Sequence, residues 1–249
     1  MDELLRVIGI SRRFGGLLAL DQASFFAEQD RITALIGPNG AGKTTLFSIV
    51  TGFLAPSKGT VFYQGADITG LPPHVLARRG IARTFQIAQP FAGLSVCENI
   101  AVGAHLSRRS RSAALAAAKD VANAVGLGSM LDLPASSLTV AGRKRLELAR
   151  ALAIEPKLLL LDEVLAGLNP SEIRDMVPVI QAIRARGVAI VMIEHVMQAV
   201  MSLAEHVFVL AEGRVIAQGS PQAIAADARV VEAYLGHGAA GRMLGAADG

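Results

Sequence analysis

Eight consecutive residues, Gly37-Pro38-Asn39-Gly40-Ala41-Gly42-Lys43-Thr44, bring together a flexible backbone, a cation and a hydroxyl. They match the phosphate-loop pattern Gly-x-x-x-x-Gly-Lys-Ser/Thr. Glycines let successive backbone N–H groups turn toward an anion and come close to its oxygens. Lys43 supplies positive charge for β- and γ-phosphates, and the Thr44 hydroxyl suits a Mg²⁺ ion. Thr45 opens an apolar stretch where a helix N-terminus would point its dipole at the same anion. Four fixed positions of this kind recur by chance in roughly one chain per hundred of this size. The run is read as a site for nucleotide phosphates.

A second constellation lies further on. Leu158-Leu159-Leu160-Leu161 runs straight into Asp162-Glu163. Burying charge is costly, so a buried strand needs a reason to end in two adjacent acids. A bound cation supplies one. Asp162 is assigned to Mg²⁺, and Glu163 to orienting or deprotonating an attacking water.

These residues need elements to hold them. Apolar and β-branched runs predict strands at 4–10, 24–27, 31–36, 61–63, 158–161 and 189–193. A helix is expected at 45–50, directly after the glycine loop. From 87 to 137 the β-branched runs give way to alanine-rich helical patterns, notably 113–125. Helices follow at 142–153 and 171–186. The second starts at Asn169-Pro170, with Asn as cap and Pro at the first helical position, and stops at Gly187. A hairpin is expected at 207–210 and 214–217 around Glu212-Gly213, then a helix from Ser220-Pro221. The Gly- and Ala-rich stretch 236–249 reads as a disordered tail. Strands alternating with helices imply an α/β core with a mainly parallel sheet, its ligand beyond the carboxyl ends of the strands.

Composition sets bounds. A length of 249 residues fits one large domain or one with an inserted subdomain. With 52% hydrophobic and 18% charged residues, the chain can bury a sizeable core. No run approaches the ~18 apolar residues of a membrane-spanning helix. The acidic start Met1-Asp2-Glu3 shows no signal pattern, so a cytoplasmic location is expected. Cys97 is the only cysteine, which excludes an internal disulfide and a cysteine-cluster metal site; it reads as a small buried apolar residue. The net charge of +3 is ordinary solvated charge. Arg108-Arg109-Ser110-Arg111 reads as a solvated helix end, and no nucleic-acid partner is expected.

In this order the motifs resemble the nucleotide-binding subunits of ABC transporters, over nearly all of the chain. The elements that carry the resemblance are Gly37 to Thr45, Thr84-Phe85-Gln86, the segment 138–151, 158–163 and His195. The resemblance implies an α/β P-loop NTPase of the ABC nucleotide-binding type, with an N-terminal antiparallel β subdomain and an inserted helical subdomain. Residues 1–86 and 138–235 would form the RecA-like ATP-binding core with its antiparallel β part. Residues 87–137 would form the helical subdomain, with the signature segment at 138–151. It also implies roles. Gln86 would reach the Mg²⁺ and the attacking water, and His195 the γ-phosphate. Phe14 would stack on adenine, while Gly37, Pro38, Asn39, Gly40, Ala41, Gly42, Lys43, Thr44 and Thr45 cradle the phosphates of ATP. Thr139 and Ala141 would meet the nucleotide of a second subunit, so that two chains sandwich ATP.

Finer pieces are similar to importers of branched-chain and other hydrophobic amino acids: Arg13-Phe14-Gly15-Gly16-Leu17-Leu18-Ala19, Ile81-Ala82-Arg83-Thr84-Phe85-Gln86, Ala166-Gly167-Leu168-Asn169-Pro170, Ile193-Glu194-His195 and Glu232-Ala233-Tyr234-Leu235-Gly236. Urea importers and lipopolysaccharide-export ATPases are close relatives of this subunit type. Partners implied are transmembrane permease subunits, a second nucleotide-binding subunit (identical or related) and, indirectly, a solute-binding protein, with the chain peripheral on the cytoplasmic face of the inner membrane. The signature departs from the family's Leu-Ser-Gly-Gly-Gln. Thr139 keeps a hydroxyl, but Ala141 replaces a glycine, and Gly142 ends the motif. Asn169 stands where many relatives have aspartate, and the helical insertion is shorter than in typical members. Soluble ABC-type ATPases acting on DNA or ribosomes usually carry two cassettes or a long coiled coil, and neither is present. A P-loop kinase or GTPase would need neither 138–151 nor His195.

Overall fold

The computed structural model describes residues 3–85 and 89–235 of the chain. The expectations for Gln86 and for the tail 236–249 fall outside these residues. Strands β1 (Glu3–Phe14) and β2 (Leu17–Glu28) pair antiparallel across Gly15-Gly16. Strand β3 (Ile32–Ile36) is buried throughout and leads into helix α1 (Lys43–Val50). Strands β4 (Lys58–Tyr63) and β5 (Ala66–Asp67) complete a four-stranded sheet in the order β2-β1-β4-β5.

Helix α2 (Pro73–Arg78) and strand β6 (Ile81–Arg83) come next. Helices α3 (Val96–Ala104) and α4 (Arg111–Ala124) form the helical part, followed by two short 3-10 turns. Helix α5 (Val140–Leu152) leads to β7 (Leu158–Asp162), α6 (Pro170–Arg184), β8 (Ala189–Ile193) and α7 (Met197–Leu203). Strands β9 (His206–Ala211) and β10 (Arg214–Gly219) make the expected hairpin, and α8 (Pro221–Ala225) and α9 (Ala228–Leu235) end the described chain.

The second sheet runs β10-β9-β3-β8-β7-β6, with every pair parallel except β10 against β9. Its central strands β3, β8 and β7 are buried on both faces because both faces are covered. In β7, Leu158 and Leu160 enter one core with Phe47, Leu35 and Phe208, between the sheets. Leu159 and Leu161 enter the other, with Leu148, Met176 and Ile180 of the helices. Each fully buried leucine contributes about 2 kcal/mol, so the run offsets part of the cost of burying the carboxylate at its end.

Several short elements were not expected: β5, α2, β6, α7 and α9. Strand β6 has three residues, and its conformation comes from the ladder Ile81↔Leu158 to Arg83↔Leu160 rather than from local preference. Helix α7 has Val196 as its N-cap residue and no side-chain cap, so no start signal precedes it. Helix α5 begins at Val140, two residues earlier than the apolar period suggests, because the Thr139 hydroxyl accepts the Gly142 N–H and caps it. Asn169 behaves as expected. It forms a capping box with Glu172, and Pro170 takes the first helical position.

Candidate nucleotide site

Sheet order decides which residues meet. Strands β3, β8 and β7 are consecutive and parallel, so their carboxyl ends lie side by side. Leu35 pairs with Ile193, and Ile193 with Asp162. The glycine loop leaves the first strand, Glu194-His195 the second, and Asp162-Glu163 the third. Three stretches far apart in sequence therefore converge on one edge, where α/β sheets place their ligands.

The loop needs its glycines. Gly37 has φ +148, and a Cβ there would lie 1.9 Å from the Leu210 carbonyl oxygen. Gly42 has φ +102, and a Cβ would lie 2.6 Å from the Ala19 carbonyl. Lys43 is buried, and its Nζ donates to the carbonyls of Gly37 (2.8 Å) and Pro38 (2.9 Å). Burial lowers its pKa, and the nearby carboxylates of Glu163 and Asp162 oppose that shift. An open cleft of about 620 Å³ runs over the loop and is bounded by Phe14, Leu17, Asn39 to Thr45 and Glu163. Phe14 is 45% exposed at the end of β1, and the Arg12 guanidinium covers its ring at 4.8 Å. An exposed aromatic ring and the phosphate loop thus border one cleft.

Glu163 follows β7 with φ +50, a left-handed conformation that a residue with a side chain adopts at a cost of about 1–3 kcal/mol. Its Oε1 lies 3.0 Å from His195 Nε2. The two residues assigned to water activation and phosphate contact are in direct hydrogen-bond reach, as a base and its orienting partner need to be.

Asp162 is 1% exposed. Its N–H donates to Thr84 Oγ1 (3.1 Å), and its Oδ2 accepts from Arg83 Nη2 (2.6 Å). Oδ1 is buried without a hydrogen-bond partner. Asp162 and the Thr44 hydroxyl border the same groove. A carboxylate oxygen with unused acceptor capacity and a threonine on the same groove make a hard, oxygen-only donor set, and it fits Mg²⁺. Among the described residues no group of three or more His, Cys, Asp or Glu side chains gathers to hold a metal.

Three site residues had no assigned role in the sequence. Arg83, on β6, pairs with Asp162, donates to Ser48 Oγ (3.1 Å) and lies over the rings of Phe47 and Phe85. Glu194 is 1% exposed, and its Oε1 accepts the Leu165 N–H at 2.9 Å. Lys144 of α5 is buried and donates to the Glu163 carbonyl at 3.0 Å. A charged residue abutting an all-apolar strand was the available signal for Glu194, as it was for Asp162; Arg83 ends a three-residue strand that carries no such signal.

Burial raises the Glu194 pKa to about 7, against the opposing effect of backbone N–H bonds from Leu165 and His195. The folded chain then binds this proton more tightly than the unfolded one. The stability it contributes is complete below the ordinary value of 4.5 and is lost as pH rises through about 7. Glu194→Gln keeps an oxygen for Leu165 and has no charge to bury. Between pH 4.5 and 7.5 the variant should gain on the parent by on the order of 3 kcal/mol in urea unfolding. A difference that stays flat with pH would contradict this origin.

Thr139 and Ala141 border neither the cleft over the loop nor the groove beside Asp162. Thr139 caps α5, Val140 is exposed, and Ala141 is half-buried in the first turn.

Comparison with known proteins agrees with this geometry. A family model described as "ABC transporter" matches residues 20–166, and one described as "Branched-chain amino acid ATP-binding cassette transporter" matches 214–240. The chain is 37% identical to the high-affinity branched-chain amino acid transport ATP-binding protein BraF of Pseudomonas aeruginosa, across 94% of this chain and 98% of the relative. It is 37% identical to the corresponding protein LivG of Escherichia coli strain K12, with the same coverage. Among solved structures, an ATP-binding cassette of an ABC transporter in its ADP conformation superposes with a TM-score of 0.87 at 31% identity, covering 95% of this chain and all of the other. Together with the phosphate loop and the paired acids, these matches show that the chain belongs to the ABC transporter family, as an ATP-binding and ATP-hydrolysing cassette.

Proposed function

We propose that this cassette energises an importer of branched-chain or other hydrophobic amino acids. The observation that carries the reading is identity of 37% or more over 94% of the chain to proteins named for that transport, joined to the branched-chain match at 214–240. Lys43 and the loop amides bind the phosphates, Phe14 supports the adenine, and Glu163 with His195 activates water. Asp162, Thr44 and Gln86 would hold Mg²⁺, which supplies charge neutralisation at the phosphates when bound.

Thr139 and Ala141 do not line the cleft over their own loop, and this supports a sandwich in which they meet a second subunit's nucleotide. Membrane permease subunits follow from the family. For their docking site the best-suited surface is the groove of about 790 Å³ bordered by Arg83, Phe85, Phe91, Val102 and Arg150. Exposed Phe85 and Phe91 give it apolar anchors, with exposed Phe53 packed edge-on against Phe85, and no described helix is long and apolar enough to cross a membrane. A peripheral position on the cytoplasmic face, under permeases fed by a solute-binding protein, completes the reading.

Co-purification with the permease subunits, followed by ATPase assays with solute-loaded binding protein, tests it. Leucine, isoleucine or valine should stimulate turnover. Stimulation by urea instead, or by none of these amino acids, would overturn the solute class.

The signature carries its own test. If the Ala141 methyl group keeps the partner's γ-phosphate about 1 kcal/mol short of its best contact, Ala141→Gly should raise kcat about fivefold in the assembled transporter. Unchanged kinetics would show that the methyl group does not crowd the nucleotide.

A further inference from the structure

Glu163 sits in a backbone conformation that its surroundings must enforce. Its N–H donates to the Ile193 carbonyl (2.9 Å), which ties it to β8. Its carbonyl accepts from the Ala166 N–H (3.2 Å) and from Lys144 Nζ (3.0 Å). Two residues further, the Leu165 N–H is held by Glu194. The turn 163–166 is thus gripped by β8, by the strand-end carboxylate and by α5.

The grip from α5 is the unexpected one. That helix starts at Thr139, in the segment that the sandwich presents to the other subunit's nucleotide, and Lys144 lies in its second turn. A lysine is buried here at the cost of its rotamer freedom and its hydration. Burial lowers its pKa, while the carboxylates of Glu194, Glu163, Asp162 and Glu147 favour its charge.

We propose that Lys144 is a positioning residue that ties the signature helix to the catalytic carboxylate, through its hydrogen bond to the Glu163 carbonyl. The inference rests on the reading of Glu163 as the group that activates water. A shift of α5 against the partner's nucleotide is transmitted to the strained turn and so to the Glu163 side chain, which makes the chemistry in one site depend on closure at the other.

The alternative is purely structural, with Lys144 serving only as the counter-charge of Glu194. A pair of variants separates the two. Lys144→Met keeps the length and apolar stem of the side chain but removes the donor. In the full chain assembled with its partner subunits, kcat should fall roughly ten- to hundredfold, as misplacing a catalytic group by about 1 Å does. KM for ATP should stay within about threefold, since Lys144 does not itself line the nucleotide cleft. Adding Glu194→Gln removes the charge that Lys144 would balance while keeping the Leu165 contact. The double variant should remain slow if Lys144 acts through Glu163. Recovery of kcat in the double variant, full activity of Lys144→Met, or kcat and KM failing together, would each overturn the proposal. Glu163→Gln, assayed alongside, keeps the two readings apart. If that variant still turns over ATP, the catalytic assignment fails; if it is dead while Lys144→Met is fully active, only the tether fails.

Discussion

Glu163→Gln is expected to slow ATP turnover by about 10²–10⁴-fold, the usual worth of a general base, while leaving nucleotide binding intact. The substitution is nearly isosteric, so the turn at 163–166 keeps its volume and its backbone bonds. The amide can still meet His195 Nε2 across the 3.0 Å gap. It can no longer take a proton from water. Lys43 and the glycine loop lie on a different strand end and are untouched, so ATP should bind as before. If ATP cements the two-subunit sandwich, the bound state outlives its normal lifetime, and the isolated chain should elute at twice its monomer mass with ATP but not with ADP. Glu163→Gln protein that hydrolyses ATP at the parent rate would remove Glu163 from catalysis, whatever happens to its oligomeric state.

What could be read in advance follows from how each feature is encoded. The loop 37–44 is written contiguously, and its chemistry and backbone need coincide in the same eight residues. The strand 158–161 was visible because burial on both faces demands an unbroken apolar run, and its terminal acids stood out against that run. Helix α6 announced itself through Asn169 and Pro170. Arg83, Lys144 and Glu194 are different. Each acquires its role from a neighbour supplied by sheet order or helix packing: Asp162 for Arg83, the Glu163 carbonyl for Lys144, the Leu165 amide for Glu194. Those partners are separated by 79, 19 and 29 residues, respectively. No local pattern records such pairings. The signature was legible as a departure at Thr139 and Ala141, and only the capping bond from Gly142 to Thr139 shows what the retained hydroxyl does within the helix.

Arg83→Met is expected to destabilise the nucleotide-free chain by about 3–5 kcal/mol, the cost of leaving a buried charge without its partner. Both side chains are almost wholly enclosed, at 6% and 2% exposure, so solvent cannot take over the lost interaction. Methionine approximates the arginine stem and can still lie against Phe47 and Phe85, which confines the loss mainly to the ion pair. Asp162 would then face its surroundings with Oδ1 already unpartnered and Oδ2 deprived of its donor.

Two companion measurements show whether this is the cause. Asp162→Asn removes the charge, so in that background Arg83→Met should cost much less, and the two substitutions should be strongly non-additive in urea unfolding. MgATP should restore stability to Arg83→Met by more than it adds to the parent, because a divalent cation at Asp162 replaces the missing positive charge as well as contributing its binding energy. Equal gains from MgATP in the two proteins, or simple additivity with Asp162→Asn, would show that Arg83 stabilises by packing alone. The predicted pattern instead makes Arg83 the resident counter-charge of the metal-binding carboxylate. Asp162 would then stay paired and oriented through the part of the cycle in which no nucleotide is bound, so that the site need not rebuild itself each time ATP arrives.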